Sequence, residues 1–150
     1  MARLVFRRTI AALAGLAAAV TASAAFAGAR IAVITPYLAQ PGTQFYVEAF
    51  QDQAKANGWE VNVIDTKGDV AAAISRIEDV SNQKVDAIVI NVDPAQVAAG
   101  LQTAKKAGVP VFGMDAGADP LLVTNVTSNG YSMAADTAAY VANRINGKGS

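Results

Sequence analysis

The sequence predicts an α/β domain: a three-layer arrangement with a parallel sheet between helices. Three observations carry that expectation. Short apolar runs rich in β-branched residues recur, segments with apolar residues at helical spacing lie between them, and the connections span only a few residues. The most informative run is residues 85–93, VDAIVINVD, apolar through Ala87-Ile88-Val89-Ile90 and polar at its far end. A half-wet strand alternates; this one does not, so it reads as covered on both faces. Asp93-Pro94 follows, a capping residue and then proline at a first helical position, so strand gives way to helix within a few residues.

The other elements follow in order. Residues 30–35 (RIAVIT) read as the first strand, and the loop PYLAQPG leads into a helix over residues 43–57 that aligns Val47, Phe50 and Ala54 and stops at Gly58. Residues 59–65 (WEVNVID) form the second strand. Asp69 caps a helix with Ala73, Ile74, Ile77 and Val80 on one face, and the central strand comes next. A third helix begins at Pro94, presents Val97, Leu101 and Ala104, and ends at Gly108. Residues 109–115 (VPVFGMD) make the fourth strand, with Pro110 tolerable near its start. Residues 121–126 give a weaker fifth strand, and a last helix over residues 129–146 carries Met133, Thr137, Tyr140, Val141 and Ile145. Right-handed crossovers between such units place helices on both faces of the sheet.

The N-terminus belongs to a different category. Arg3, Arg7 and Arg8 precede an alanine-rich apolar run, and Ala25-Phe26-Ala27 supplies a small-x-small cleavage site, so residues 1–27 read as a secretory signal peptide cut after Ala27. The formal charge of the whole chain is zero, but removing those three arginines leaves nine basic against twelve acidic residues. The mature domain, residues 28–150, is therefore mildly acidic. Its scattered basic residues give nucleic acid no footprint, so no nucleic-acid partner is expected.

The chain contains no histidine and no cysteine, which excludes the usual catalytic triads and zinc sites built on imidazole or thiolate. The segment after the first strand lacks the G-x-G-x-x-G spacing of a dinucleotide site, and no phosphate loop occurs, so no cofactor is expected. Asp115 with Asp119 is too thin a ligand set for calcium, and no metal site is expected. Parallel α/β sheets bind ligands where strands end and helices begin. At that edge the sequence sets out Gln44, Phe45 and Tyr46, then Asn91, Asp93, Asp115, Asn125, Thr127 and Asn129. Short-stemmed carboxylates and amides pair with hydroxyl groups, and an aromatic ring covers an apolar ligand face, so the set suits a neutral polyhydroxylated molecule. Asp93 and Asp69 also read as helix caps.

Four stretches, residues 30–65, 85–97 (VDAIVINVDPAQV), 107–119 (AGVPVFGMDAGAD) and 124–130 (TNVTSNG), together resemble the N-terminal lobe of the periplasmic sugar-binding proteins of ABC transporters, of the ribose-binding type. The resemblance implies a type I periplasmic binding fold in which two α/β lobes close on a sugar. It implies strand order 2-1-3-4-5 for this lobe, with the second lobe and hinge strands outside this sequence. It also implies stacking aromatics at Phe45 and Tyr46, a polar contact near Gln44, a sugar-gripping carboxylate at Asp115, and cleft positions at Asn91 and from Asn125 to Asn129. Where ribose-type proteins have an arginine next, this chain has Ala116, which moves the expected ligand toward another monosaccharide, a polyol or an inositol.

The expected function is non-catalytic: a monomeric periplasmic receptor that captures a small carbohydrate or polyol and delivers it to a membrane permease of an ABC transporter. A chemoreceptor ligand-binding protein shares this architecture. So does the core of a sugar-responsive transcription regulator, against which the signal peptide and the missing DNA-binding headpiece count. A flavodoxin-like or dinucleotide-binding enzyme is the remaining class, and the absent phosphate loop argues against it.

Overall fold

A computed structural model describes residues 28–146; the expected signal peptide with its cleavage site and the glycine-rich end at residues 147–150 lie outside the described residues. Strands β1 (Arg30–Thr35), β2 (Glu60–Asp65), β3 (Ala87–Ile90), β4 (Val111–Met114) and β5 (Asn125–Val126) form one sheet in the order β2-β1-β3-β4-β5. Every pairing is parallel, with Ile34 of β1 opposite Ile64 on one side and Ile90 on the other. Ile34 and Ile90 are completely buried, as the unalternating apolar pattern requires.

Helices α1 (Pro41–Ala56), α2 (Val70–Asn82) and α3 (Ala98–Ala107) cover the sheet unequally. One face carries α2 and α3, whose Ile77, Val80, Leu101 and Ala104 close on Ile34, Ile88 and Ile90. These two helices approach so closely that a methyl group on Gly100 would stand 3.0 Å from Ile77 Cβ and 3.2 Å from the Ile74 carbonyl oxygen. Among the described residues the other face carries α1 alone, with Val47 buried against Ile31, Val33 and Val89.

Local signals set the helix ends. Pro41 starts α1 two residues before the expected boundary, because its fixed φ suits the first turn. The side chain of Asp69 accepts a hydrogen bond from the Ala72 amide at the start of α2. After Asp93 the chain makes a 3-10 turn, Pro94–Val97, before α3 proper, which ends at Gly108 in the left-handed conformation.

Two expectations change. The fifth strand shrinks to Asn125–Val126, because Asp119 gathers the amides of Leu121 and Leu122 into a turn. Helix α4 (Gly130–Arg144) forms as its periodicity indicates, but it buries no residue: Met133, Tyr140 and Val141 all stay exposed. On the α1 face, an open apolar groove of about 890 Å³ lies over β3 and β4, lined by Phe50, Trp59, Val89, Phe112, Met114 and Val126.

Candidate functional site

The sheet order changes direction between β1 and β3, since β2 lies on one side of β1 and the rest on the other. Chains leaving neighbouring strands toward opposite faces open a crevice at the strands' carboxyl ends. The crevice is present, with a volume of about 430 Å³, and is lined by Tyr37, Gln40, Thr43, Tyr46, Asn91, Val92, Asp93, Asp115 and Ala116 among others. Three strand ends thus converge on one site.

Asn91 is its fixed point. Only 6% exposed, it directly follows β3. Its Oδ1 accepts from the hydroxyls of Thr35 (3.2 Å) and Thr43 (3.4 Å), and its Nδ2 donates to the Met114 carbonyl at 2.6 Å. The end of β1, the first turn of α1 and the end of β4 are tied together by one side chain. Both acceptor directions of the amide oxygen are used, which leaves one N–H of the Nδ2 group for anything else.

Asp115 is held from three sides. Its backbone sits at φ 53, a left-handed conformation that aspartate tolerates better than most residues, and this turns the chain out of the strand. Its amide donates to the Val126 carbonyl at 2.7 Å, and its Oδ1 accepts from the Thr127 hydroxyl. Oδ2 has no protein donor among the described residues. Asp93 is similar: Oδ1 accepts from the Ala95 amide at 2.9 Å as the cap of the 3-10 turn, and Oδ2 has no protein donor among the described residues. Capping and cleft lining are therefore compatible in one carboxylate.

The remaining candidates fall elsewhere. Tyr46 lines the cleft, but Gln44 and Phe45 do not; they stand exposed on the first turns of α1, with Phe45 at 70% exposure. Asn125 uses its Oδ1 to accept from the Ala116 amide at 3.0 Å and lies against Gly113, so it braces the Asp115 turn from behind. Asn129 caps α4 by accepting from the Ser132 amide. Sequence reasoning passed over Tyr37, Gln40 and Thr43. Gln40 occupies the N-cap of α1 and makes no side-chain capping bond, which leaves its amide free at the cleft.

A cleft with unclaimed carboxylate oxygens, amide groups and tyrosine hydroxyls is equipped to hold a polar molecule through paired hydrogen bonds. Thr43, the only aliphatic hydroxyl in the lining, is already committed to Asn91. Fold and site together define an α/β ligand-binding domain.

Residues 31–150 match the family model described as the periplasmic binding protein domain, and the chain belongs to that family. It is 32% identical over 104 residues to the ribose import binding protein of Bacillus subtilis, covering 68% of this chain and 34% of that protein. It is 31% identical over 104 residues to the xylitol-binding protein of Mycolicibacterium smegmatis, covering 68% of this chain and 30% of the other. Among solved structures, an ABC transporter solute-binding protein from Agrobacterium vitis with bound allitol superposes with a TM-score of 0.73 at 25% identity, over 83% of this chain and 43% of that one. The chain spans about a third of the length of the curated relatives it matches.

Proposed function

We propose that this chain is the N-terminal lobe of a periplasmic solute-binding protein that captures a monosaccharide, polyol or inositol for an ABC transporter permease. The observation that carries this reading is the crevice at the ends of β1, β3 and β4, where Asp93 and Asp115 each present one unclaimed oxygen beside the fixed Asn91. A ligand's hydroxyls donate to those oxygens, the free N–H of Asn91 donates in return, and the exposed ring of Phe45 covers an apolar ligand face as a second lobe closes. Gln44 stands beside it as a rim contact, while Asn125 and Asn129 act on the ligand through the turns they brace. The role is binding without catalysis. Residues 1–27 direct export to the periplasm and are removed there.

Two features support a second lobe. Helix α4 keeps its apolar side in water, and the α1 face of the sheet has an apolar groove over β3 and β4 that no helix of the described residues covers. Apolar surface of that extent ordinarily marks a contact. The ligands named for the relatives, ribose, xylitol and allitol, are neutral polyhydroxylated molecules. Ala116 offers this lobe no side-chain donor beside Asp115, which favours a polyol over ribose. A nuclear magnetic resonance titration of the full-length mature protein with pentoses, hexoses, pentitols, hexitols and inositols tests the reading. Saturable shifts at the amides of residues 115–117 and at the Asn91 side chain support it; a full panel without shifts there contradicts it.

A further inference from the structure

Negative charge gathers at one edge of this domain, where the strands end. At the edge where the strands end stand Asp65, Asp69, Asp93, Asp115 and Asp119, against one cation, Lys67. At the opposite edge both signs mix: Arg30 at the start of β1, Lys55 at the end of α1, Lys84 before β3, and Lys105 and Lys106 at the end of α3 stand with Glu60 at the start of β2, Asp79 in the last turn of α2, and Asp86, whose Oδ2 accepts from the Arg30 amide. Helix N-termini offset part of the negative charge, since Asp69 and Asp93 both cap a turn. Asp115 caps none. Its partner is the neutral hydroxyl of Thr127, so its charge is not neutralised by any described residue. Among the described residues no cationic side chain lines the cleft, whose two carboxylates come from different strands, and Lys67 stands beyond β2 at the sheet's edge.

We propose that this edge is a charge filter: it admits neutral and cationic polyhydroxylated molecules and turns away anionic ones, such as sugar acids and sugar phosphates. The inference rests on the cleft being the ligand site and adds the class of molecule it selects. Hydroxyls and ammonium groups donate to a carboxylate; a ligand carboxylate or phosphate brings only acceptors and a like charge into a crevice partly screened from solvent. The field of the whole edge extends the effect to the approach of the ligand.

The test uses matched series that differ only at one terminal group: glucitol, glucamine and gluconate, and likewise xylitol, 1-amino-1-deoxyxylitol and xylonate. Each is titrated at pH 7 into the full-length mature protein, with the amides of residues 115–117 and the Asn91 side chain as the readout. In low salt the amine should bind at least as tightly as the neutral polyol, and the acid about tenfold more weakly, the ratio given by like charges ~6 Å apart at an effective dielectric constant of about 40. High salt should narrow the gap. Asp93→Asn, which preserves the cap, should narrow it as well. An acid that binds as tightly as its neutral counterpart in low salt overturns the filter while leaving the site intact. No response to any compound in either series overturns the site and the filter together.

Discussion

Asn91 Nδ2 donates to the Met114 carbonyl at 2.6 Å, and that carbonyl belongs to the peptide that leads into Asp115. The central strand thereby fixes the position of the carboxylate on the next strand. Since the same side chain accepts from Thr35 and Thr43, the cleft's shape depends on one residue that is nearly inaccessible.

Asn91→Ala should therefore act on stability before it acts on binding. It strands the Met114 carbonyl and two hydroxyls in a buried setting, at a cost of about 2–4 kcal/mol. Urea denaturation measures it. A loss below about 0.5 kcal/mol, the scale of an ordinary surface substitution, would mean that the network is incidental.

Gly113 and Asn125 form a second linked pair. A methyl group on Gly113 would lie 3.0 Å from Asn125 Cγ and closer still to its Oδ1, so Gly113→Ala must push the Asn125 side chain away from the Ala116 amide. The expected loss is about 1–3 kcal/mol. Asn125→Ala removes the obstruction, so the double variant should be more stable than the sum of the two single losses predicts. Strict additivity in a double-mutant cycle would show that the two side chains do not compete for the space.

Helix α4 leads to a different expectation. A 15-residue helix without tertiary contacts is marginal in water, and this one buries nothing. Its amides should exchange with solvent far faster than those of α2. Removing residues 130–150 should change the unfolding free energy of the remaining domain by less than about 0.5 kcal/mol, as for surface changes. A loss of several kcal/mol on truncation would reveal a packed position for α4.

Much of this fold was legible in the sequence, and the reasons are physical. Unalternating runs such as Ala87-Ile88-Val89-Ile90 identify buried parallel strands, and Asp69, Pro41 and Gly108 mark helix ends through local chemistry. Periodicity reports only that a helix has an apolar side, not what that side meets, so the exposure of α4 is not legible in its pattern. The weak fifth strand was overestimated because one carboxylate, Asp119, reorganised the turn before it. At the site, Asn91 and Asp115 stood out as polar residues closing apolar strands. The commitments of Asn91 to Thr43 and Thr35, 48 and 56 positions away, exist only once the sheet is assembled. Tyr37 and Gln40 went unread because their loop carried no pattern beyond its prolines and glycine.

Export makes a simple expectation. With three arginines ahead of the alanine-rich run and Ala25-Phe26-Ala27 behind it, the mature chain should begin at Gly28 or within a few residues of it. Mass spectrometry of protein recovered from the periplasm reads this directly. Material that retains Met1 or Ala2 would contradict the assignment.

The central claim is that Asp115 holds ligand, and a titration of its variants tests it most directly. The best ligand from the panel is titrated into the wild type, Asp115→Asn and Asp115→Ala of the full-length protein, with circular dichroism as the control for folding. Oδ1 is held by Thr127 and Oδ2 is unclaimed, so the carboxylate is placed to accept a ligand hydroxyl in a charge-assisted bond. Asp115→Ala should weaken binding by about 2–4 kcal/mol with the fold intact, and Asp115→Asn, which keeps one acceptor and the shape, should fall between. Unchanged affinity in a folded Asp115→Ala variant would make Asp115 a turn residue only and contradict the account of the cleft.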